Sequence, residues 1–396
     1  MKFQRAAVPL PMLWSSPFVR WQGSLADVSS LDLAAAVTAD ALADRQVDLG
    51  AINQIVLGLT IPQPNSFYGA PWLAARLGLD RFSGPMISQA CATSVACLAA
   101  AAAEVELEAD AMPLVVTTDR TSNGPLLVYP RSHAMGGSPI TEHWVLDSFA
   151  ADPNTGQAMV ATAENVARDG RMSRESLDEL TLLRWHQYQS ALADDRRFQR
   201  RYMQPVAIAR GKGKTLRIEA DEGVQSYTAE GLAALKPVRE GGVVTFGSQT
   251  HPSDGCAGAL VTNVERAQAM SKGSGVVRLL SAGFARAGKA EMPKAATSAA
   301  LAAIEQAEVS LDAVRFVVSH NPFAVNDAWF SQQTGFPLDR MNPRGCSLIY
   351  GHPQGPTGLR GVIELAHALA EAGGGVGVFT GCAAGDSGAA LVIRVE

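Results

Sequence analysis

Gln89-Ala90-Cys91-Ala92-Thr93-Ser94-Val95-Ala96-Cys97-Leu98-Ala99-Ala100 runs on through further alanines to Ala109, and the stretch Pro113-Leu114-Val115-Val116-Thr117-Thr118 follows soon after. An Ala-rich run without Gly or Pro predicts a long helix over Ala92–Ala109, and the β-branched run predicts a strand over Pro113–Thr118. Upstream, Leu31–Ala43 reads as helix, Gln54–Leu59 as strand and Ala70–Leu77 as helix. Helix alternating with strand predicts an α/β fold with a largely parallel sheet. The last third repeats the order: strand Val276–Ala282, helix Ala295–Ala307, strand Val314–Ser319, helix Arg360–Ala372, then strands Val376–Thr380 and Ala389–Val395. Between the two, Asp119–Leu235 changes to Gly, Pro, Ser and His segments and the charged helices of Ser173–Ala193, after which Gly242–Thr245 and Ala257–Asn263 return to strand-like sequence. The expected organisation is two similar α/β halves, residues 1–118 with 236–265 and residues 266–396, with 119–235 inserted in the first.

Composition narrows the function. The 396 residues are 47% hydrophobic and 18% charged, as in ordinary globular proteins, and carry a net charge of −5. No basic excess is available to neutralise phosphates, so nucleic acid is not an expected partner. Cys91, Cys97, Cys256, Cys346 and Cys382 are odd in number and scattered, which favours neither a disulfide framework nor a structural metal. Met1-Lys2-Phe3-Gln4-Arg5 followed by prolines does not read as a signal peptide, and no apolar run of ~18 residues is expected to span a membrane. The expectation is a cytoplasmic protein with reduced thiols.

Cys91 stands where a strand or loop, Gly84 to Ala90, meets the long helix. A thiol there faces unpaired N–H groups and the positive end of the dipole, which favour a thiolate nucleophile; a buried structural cysteine is the bland reading. His352 lies in Gly351-His352-Pro353-Gln354-Gly355-Pro356-Thr357-Gly358, a segment too rich in Gly and Pro for regular structure, where an imidazole can act as base or oxyanion donor, or merely cap a turn. Cys382, in Thr380-Gly381-Cys382-Ala383-Ala384-Gly385, reads as a second loop-held thiol able to serve as acid or base. His320 closes the strand before Asn321-Pro322-Phe323, and ligands of α/β proteins bind at such strand ends. His133, His143, His186, His251 and His367 occur singly, and Cys97 reads as packing. Gly385-Asp386-Ser387-Gly388 matches the nucleophile segment of trypsin-like proteases, but that fold is all-β.

Taken in order, these segments resemble the thiolase family. Gln89–Ser94 is similar to its acylated-cysteine motif, and Met159-Val160-Ala161-Thr162-Ala163-Glu164-Asn165-Val166-Ala167 to M-G-x-T-A-E-N-V-A of its loop domain. Lys236-Pro237 through Thr250 and Ser253–Ala257 resembles the stretch ending in G-N-A-S-G-x-x-D-G-A. Gly351–Gly358 matches G-H-P-x-G-x-[ST]-G, and Cys382–Gly385 resembles C-x-G. The resemblance implies a layered αβαβα fold, with the inserted loop domain over coenzyme A. It implies an acyltransferase of acyl-CoA lipid metabolism that cleaves 3-ketoacyl-CoA with CoA, or runs the reverse Claisen condensation. Cys91 would carry the acyl group, His352 activate it, and Cys382 protonate the leaving enolate. His320 and His352 would form one oxyanion hole, the backbone N–H groups of Cys91 and Ala384 the other. Met159, Thr250 and Phe323 would contact substrate or CoA, and acyl length would be set by Met159 and Asn123–His143. Coenzyme A is then a substrate rather than a cofactor, no metal or nicotinamide is expected, and a homodimer or homotetramer is. Asn321, Ala384, Cys346, Thr250, Val160 and Ala158 depart from the family pattern, as does the missing early R-T-P. Other expectations are a thiolase-like condensing enzyme, which commonly lacks the second cysteine, and a non-catalytic protein that binds acyl-CoA.

Overall fold

A computed structural model of the chain describes residues 1–79 and 81–396. Its centre is a pair of largely buried helices. Thr93–Leu107 buries nine of its residues, and in Gly355–Glu371 each residue from Gly355 to Leu369 is buried. Here the two helices pack on each other, and each touches both sheets.

The first sheet is ordered Leu13–Ser15, Ser253–Leu260, Pro113–Arg120, Gln54–Gly58, Met86–Ile87, with Val19–Arg20 also on Ser253–Leu260. The second is ordered Thr262–Asn263, Ala6–Pro9, Val276–Arg286, Ser387–Val395, Gly375–Ala383, Val314–His320. Ser30–Asp44 and Gly69–Arg76 cover the outer face of the first sheet, and Met292–Gln306 covers the second. The result is the expected αβαβα layering in two similar halves.

Four expectations change. The sheets are mixed: Gln54–Gly58 runs parallel to both its neighbours and Val314–His320 to Gly375–Ala383, while the other neighbours in both sheets pair antiparallel. In the second half Gly375–Ala383 and Ser387–Val395 double back through a short turn, and in the first Ser253–Leu260 returns antiparallel to Pro113–Arg120 after the inserted segment. Second, Ala6–Pro9 and Thr262–Asn263 belong to the sheet of the other half, because the first strand pairs with Val276–Arg286. Third, Gly242–Thr245 is irregular apart from an isolated antiparallel bridge of Thr245 to Pro237, with the N–H groups of Val243 and Val244 donating to the Glu164 carboxylate. The Ala90–Leu107 stretch also has the length and apolar composition of a membrane span, against expectation. Its place between two sheets accounts for that composition.

The inserted segment packs its Met159–Asp169 and Arg174–Arg196 helices on Ala324–Thr334 of the second half. It is also fastened to the central helix by buried charge. Arg360 donates to both Asp221 oxygens at 2.6 and 2.7 Å, and its Nε reaches Glu364 at 3.1 Å. Tyr202 and Tyr350 hydroxyls donate to Glu364 at 2.8 and 2.9 Å. Charges this deep are tolerable only when paired and fully hydrogen-bonded, and these are.

Candidate active site

Cys91 is delivered by a strained turn. Ala90 has φ +45°, a left-handed conformation that a non-glycine residue holds at a cost of about 1–3 kcal/mol. Thr93 holds the turn from both sides: its hydroxyl accepts from Gln89 N at 2.8 Å and donates to Ala90 O at 2.7 Å. The half-buried thiol therefore sits just ahead of the Thr93–Leu107 helix and faces a cavity.

His352 arrives from the opposite half. Gly351 has φ +95°, and a Cβ there would lie 1.9 Å from Ser253 Oγ, so only glycine fits. The backbone is pinned on both sides, His352 N donating to His251 O at 2.9 Å and Ser253 N donating to His352 O at 3.2 Å. Nδ1 is 2.7 Å from Thr357 Oγ1, and Nε2 is 3.1 Å from Cys91 Sγ. With Nδ1–H given to Thr357, Nε2 is left as the acceptor for the thiol proton. The segment is not wholly irregular as expected: Gly355 already begins the central helix, which is how Thr357 comes to face the ring.

His320 ends its strand opposite Gly381 in the parallel register, one residue from Cys382. Its ring stacks on His352 with centroids 4.0 Å apart, and its Nδ1 is 2.9 Å from Ser347 Oγ. Nε2 is buried and has no hydrogen-bond partner. Cys382 lies within the Gly375–Ala383 strand rather than in a loop, paired with Gly388 and fully buried, and Asn326 Nδ2 donates to its sulfur at 3.2 Å.

Cys91, His352, Cys382 and Ala384 share a cavity of about 270 Å³ with Met159, Thr250 and Phe323. His320 stands behind His352 instead of on the wall. The Asn123–His143 segment contributes nothing to this lining; it carries the hairpin Leu126–Tyr129 with Ile140–His143, and Phe149 lines the cavity instead. A wider cavity of about 720 Å³, formed by Trp21, Tyr227, Phe246 and neighbours, shares Gln249, Thr250 and Pro252 with the first.

Burial pushes the Cys91 thiol up to about 12, although the N–H groups of Cys91 and Ala384 pull the other way. Burial, with His251 adding to it, lowers His352 to about 3, and burial, then His352, takes His320 well below its ordinary value. Cys382 is raised by burial and then by Cys91. The resting site therefore holds neutral thiols and neutral imidazoles. The helix terminus does not by itself make a thiolate, because desolvation outweighs it.

Several positioning residues carried no signal in the sequence reading. Asp119 accepts from Thr60 N, Thr60 Oγ1, Ile61 N and Gly355 N at 2.8 to 3.0 Å, and burial still raises it to about 7. It caps the central helix, whose own N-cap residue Gln354 offers no side-chain bond. Thr357, Ser347 and Asn326 orient the two imidazoles and the second thiol. Thr357 could have been found inside the histidine motif; Ser347, Asn326 and Asp119 come from segments with no motif. Asn321 turns away from the chemistry: Nδ2 donates to Asp327 at 2.7 Å, and Oδ1 accepts from Leu348 N at 3.2 Å. Asp386 of the protease-like segment accepts from Ala290 N and Glu291 N, which makes it part of a turn.

A thiol aligned on an imidazole, backbone donors at its sulfur and a second thiol in the same cavity are the equipment of an acyl-transferring enzyme. The chain belongs to the thiolase family: residues 14–265 match the thiolase N-terminal domain and residues 274–395 the thiolase C-terminal domain. It is 30% identical to a probable acetyl-CoA acetyltransferase of Mycobacterium leprae, over 96% of this chain and 97% of that one. It is 27% identical to the beta-ketothiolase BktB of Cupriavidus necator, over 94% and 95%. The fold matches human mitochondrial 3-ketoacyl-CoA thiolase in complex with CoA with a TM-score of 0.89 at 22% identity, covering 100% and 99% of the two chains. Bacillus anthracis acetyl-CoA acetyltransferase gives 0.90 at 22% identity, covering 100% of each.

Proposed function

We propose that the protein cleaves 3-ketoacyl-CoA with CoA, or runs the reverse condensation, through an acyl group on Cys91. The observation that carries this is Cys91 Sγ at 3.1 Å from His352 Nε2, with Cys382 in the same cavity. As the sulfur attacks the 3-keto carbon, its proton passes to His352 Nε2, so no resting thiolate is needed. The developing alkoxide is received by the N–H groups of Cys91 and Ala384. Its collapse breaks the C2–C3 bond, and the electron pair leaves as the enolate of the shorter thioester, with the newly protonated His352 Nε2 as the oxyanion donor on the wall and the unpartnered His320 Nε2 close behind it as the second. Cys382 protonates that carbon. CoA then attacks acyl-Cys91, returning the sulfur to its thiol, and the proton on His352 and the CoA thiol proton restore the two cysteines. The CoA chain fits the wider cavity joined at Thr250, which leaves the acyl group against Met159 and Phe323.

The test is thiolysis of acetoacetyl-CoA and a panel of longer 3-ketoacyl-CoAs, with Cys91→Ala and Cys382→Ala alongside. Activity that collapses in both variants supports the reading. No thiolysis by folded, CoA-binding protein sinks it in favour of another acyl transfer or a binding role. The free edge at Met86–Ile87 and the exposed Phe67, Leu126, Val128 and Ile140 support a homodimer or homotetramer, which a monomeric mass by light scattering would refute. Five free thiols fit a reducing compartment such as the cytoplasm.

A further inference from the structure

We propose that the acyl group carried by Cys91 is an uncharged apolar chain of about four to six carbons rather than acetyl, and that Phe149 limits its length; this deepens the thiolase reading and rests on it. Beyond the groups of the chemistry, the cavity that Cys91 faces is walled by Phe149, Met159, Val160, Val238, Met292 and Phe323. The inserted segment gives the first three, the return of the first half gives Val238, and the second half gives Met292 and Phe323. Among the described residues no Asp, Glu, Lys or Arg lines this cavity, so nothing is at hand to pair with a charge on the acyl chain. Gln249 and Thr250 belong to the junction with the wider cavity, and His352 and Gln354 to the segment at the thiol, which leaves apolar surface for the chain.

Size sets the length. A cavity of about 150 Å³ lined by Leu, Ile and Phe holds benzene, which is six carbon atoms. At the same packing, the cavity of about 270 Å³ beside Cys91 holds about eleven heavy atoms. With CoA entering through the wider cavity, the thioester sulfur and the carbons and oxygen of the acetyl unit that is split off occupy about four of those places. About seven remain, which is an acyl group of about six carbons with its oxygen. A transferred acetyl group fills less than half of that space. Unfilled space is lost contact, and each buried methylene strengthens binding about four-fold. A carboxylate at the chain end would be desolvated against Phe and Met side chains without a partner, so the site rejects it.

The walls differ in how much they can give. Met292 and Phe323 are 5% and 6% exposed, and truncating either opens the core. Phe149 is the largest of the half-buried wall residues. It stands on the five-residue helix Leu146–Ala150, whose approach is moored by Val145, 2% exposed, and by Trp144 Nε1 donating to Thr60 O at 3.0 Å. The ring is therefore held at the cavity by its neighbours rather than by its own packing in the core. Its loss enlarges the pocket without unfolding the segment.

The test is kcat/KM for thiolysis of 3-ketoacyl-CoAs from acetoacetyl-CoA to 3-ketododecanoyl-CoA, together with 3-ketooctanoyl-CoA carrying a terminal carboxylate. The expected profile rises about four-fold per methylene, peaks at 3-ketohexanoyl- to 3-ketooctanoyl-CoA, and then falls as the pocket is overfilled. The carboxylate-ended substrate should lie at least about 100-fold below its methyl-ended counterpart. Phe149→Ala moves the peak longer by about two carbons or more, and Phe149→Trp moves it shorter. A peak at acetoacetyl-CoA, a flat profile or ready cleavage of the carboxylate-ended chain overturns the proposal. A peak unmoved in folded Phe149→Ala overturns the role of Phe149. If no 3-ketoacyl-CoA is cleaved, the thiolase reading fails, and the affinities of Cys91→Ala protein for acetyl-, butyryl-, hexanoyl- and octanoyl-CoA, read by calorimetry, decide the pocket by itself. Affinity that climbs with length to hexanoyl supports the apolar pocket, and affinity independent of length overturns it.

Discussion

Replacing Thr357 by Val changes one atom group at the centre of the site and almost nothing else. The two side chains have nearly the same shape, and the position is 1% exposed, so no water can take the hydroxyl's place. What is lost is the acceptor 2.7 Å from His352 Nδ1. Leaving a buried N–H unsatisfied costs about 1–3 kcal/mol. The ring can avoid that cost by moving its proton to Nε2, but Nε2–H then faces the Cys91 thiol and cannot accept its proton. Either route raises the barrier to acylation. At 1.36 kcal/mol per factor of ten, the rate should fall about 5- to 150-fold. The measurement is the pre-steady-state burst of acyl-enzyme from a 3-ketoacyl-CoA, with Thr357→Ser as the control that keeps the hydroxyl. A Thr357→Val burst within two-fold of wild type, in protein with an unchanged melting temperature, would falsify the assignment of Thr357 as the residue that sets the His352 tautomer.

Three further outcomes follow from the same geometry. Asp119→Asn replaces one oxygen by an NH₂ aimed at N–H donors, so it should lose about 2–4 kcal/mol and lower the melting temperature by several degrees; an unchanged transition would mean that Asp119 does not hold the Thr60 turn to the central helix. With the Cys91 thiol pushed up to about 12, its alkylation by iodoacetamide should keep rising about ten-fold per pH unit beyond pH 9, where an ordinary thiol levels off near 8.5; a plateau near 8.5 contradicts a desolvated thiol. His367, buried against Tyr202 and lowered to about 3 by burial and then by Arg201 and Arg45, stays neutral in the fold while the unfolded chain binds a proton below about 6.5. The unfolded state then binds more protons, so stability is lost as pH falls from about 6.5 towards 3. Relative to His367→Leu the loss should approach about 1.4 kcal/mol per unit, and a difference that stays flat below pH 6 removes the argument.

Much of this molecule was readable before folding, for a simple reason. Helix and strand periodicity is local, so Thr93–Leu107, Pro113–Arg120 and the repeated order of the last third followed from the chain. The two cysteines and His352 stood in motifs whose glycines and small residues mark close backbone approach. Sheet direction, the first strand's place in the second sheet, and the position of Cys382 inside a strand were not readable, because they depend on which distant segments pair. The protonation states were not readable either. Cys91 sits ahead of a helix in any version of the sequence argument, yet its thiol is neutral because burial, a property of the whole fold, outweighs the local field. Residues 91, 320 and 352 meet only because two halves close on a shared pair of helices. The sequence by itself determined which groups could do chemistry; the tertiary structure alone decided their distances, partners and charge, since solvation and long-range contact exist only once the chain has packed.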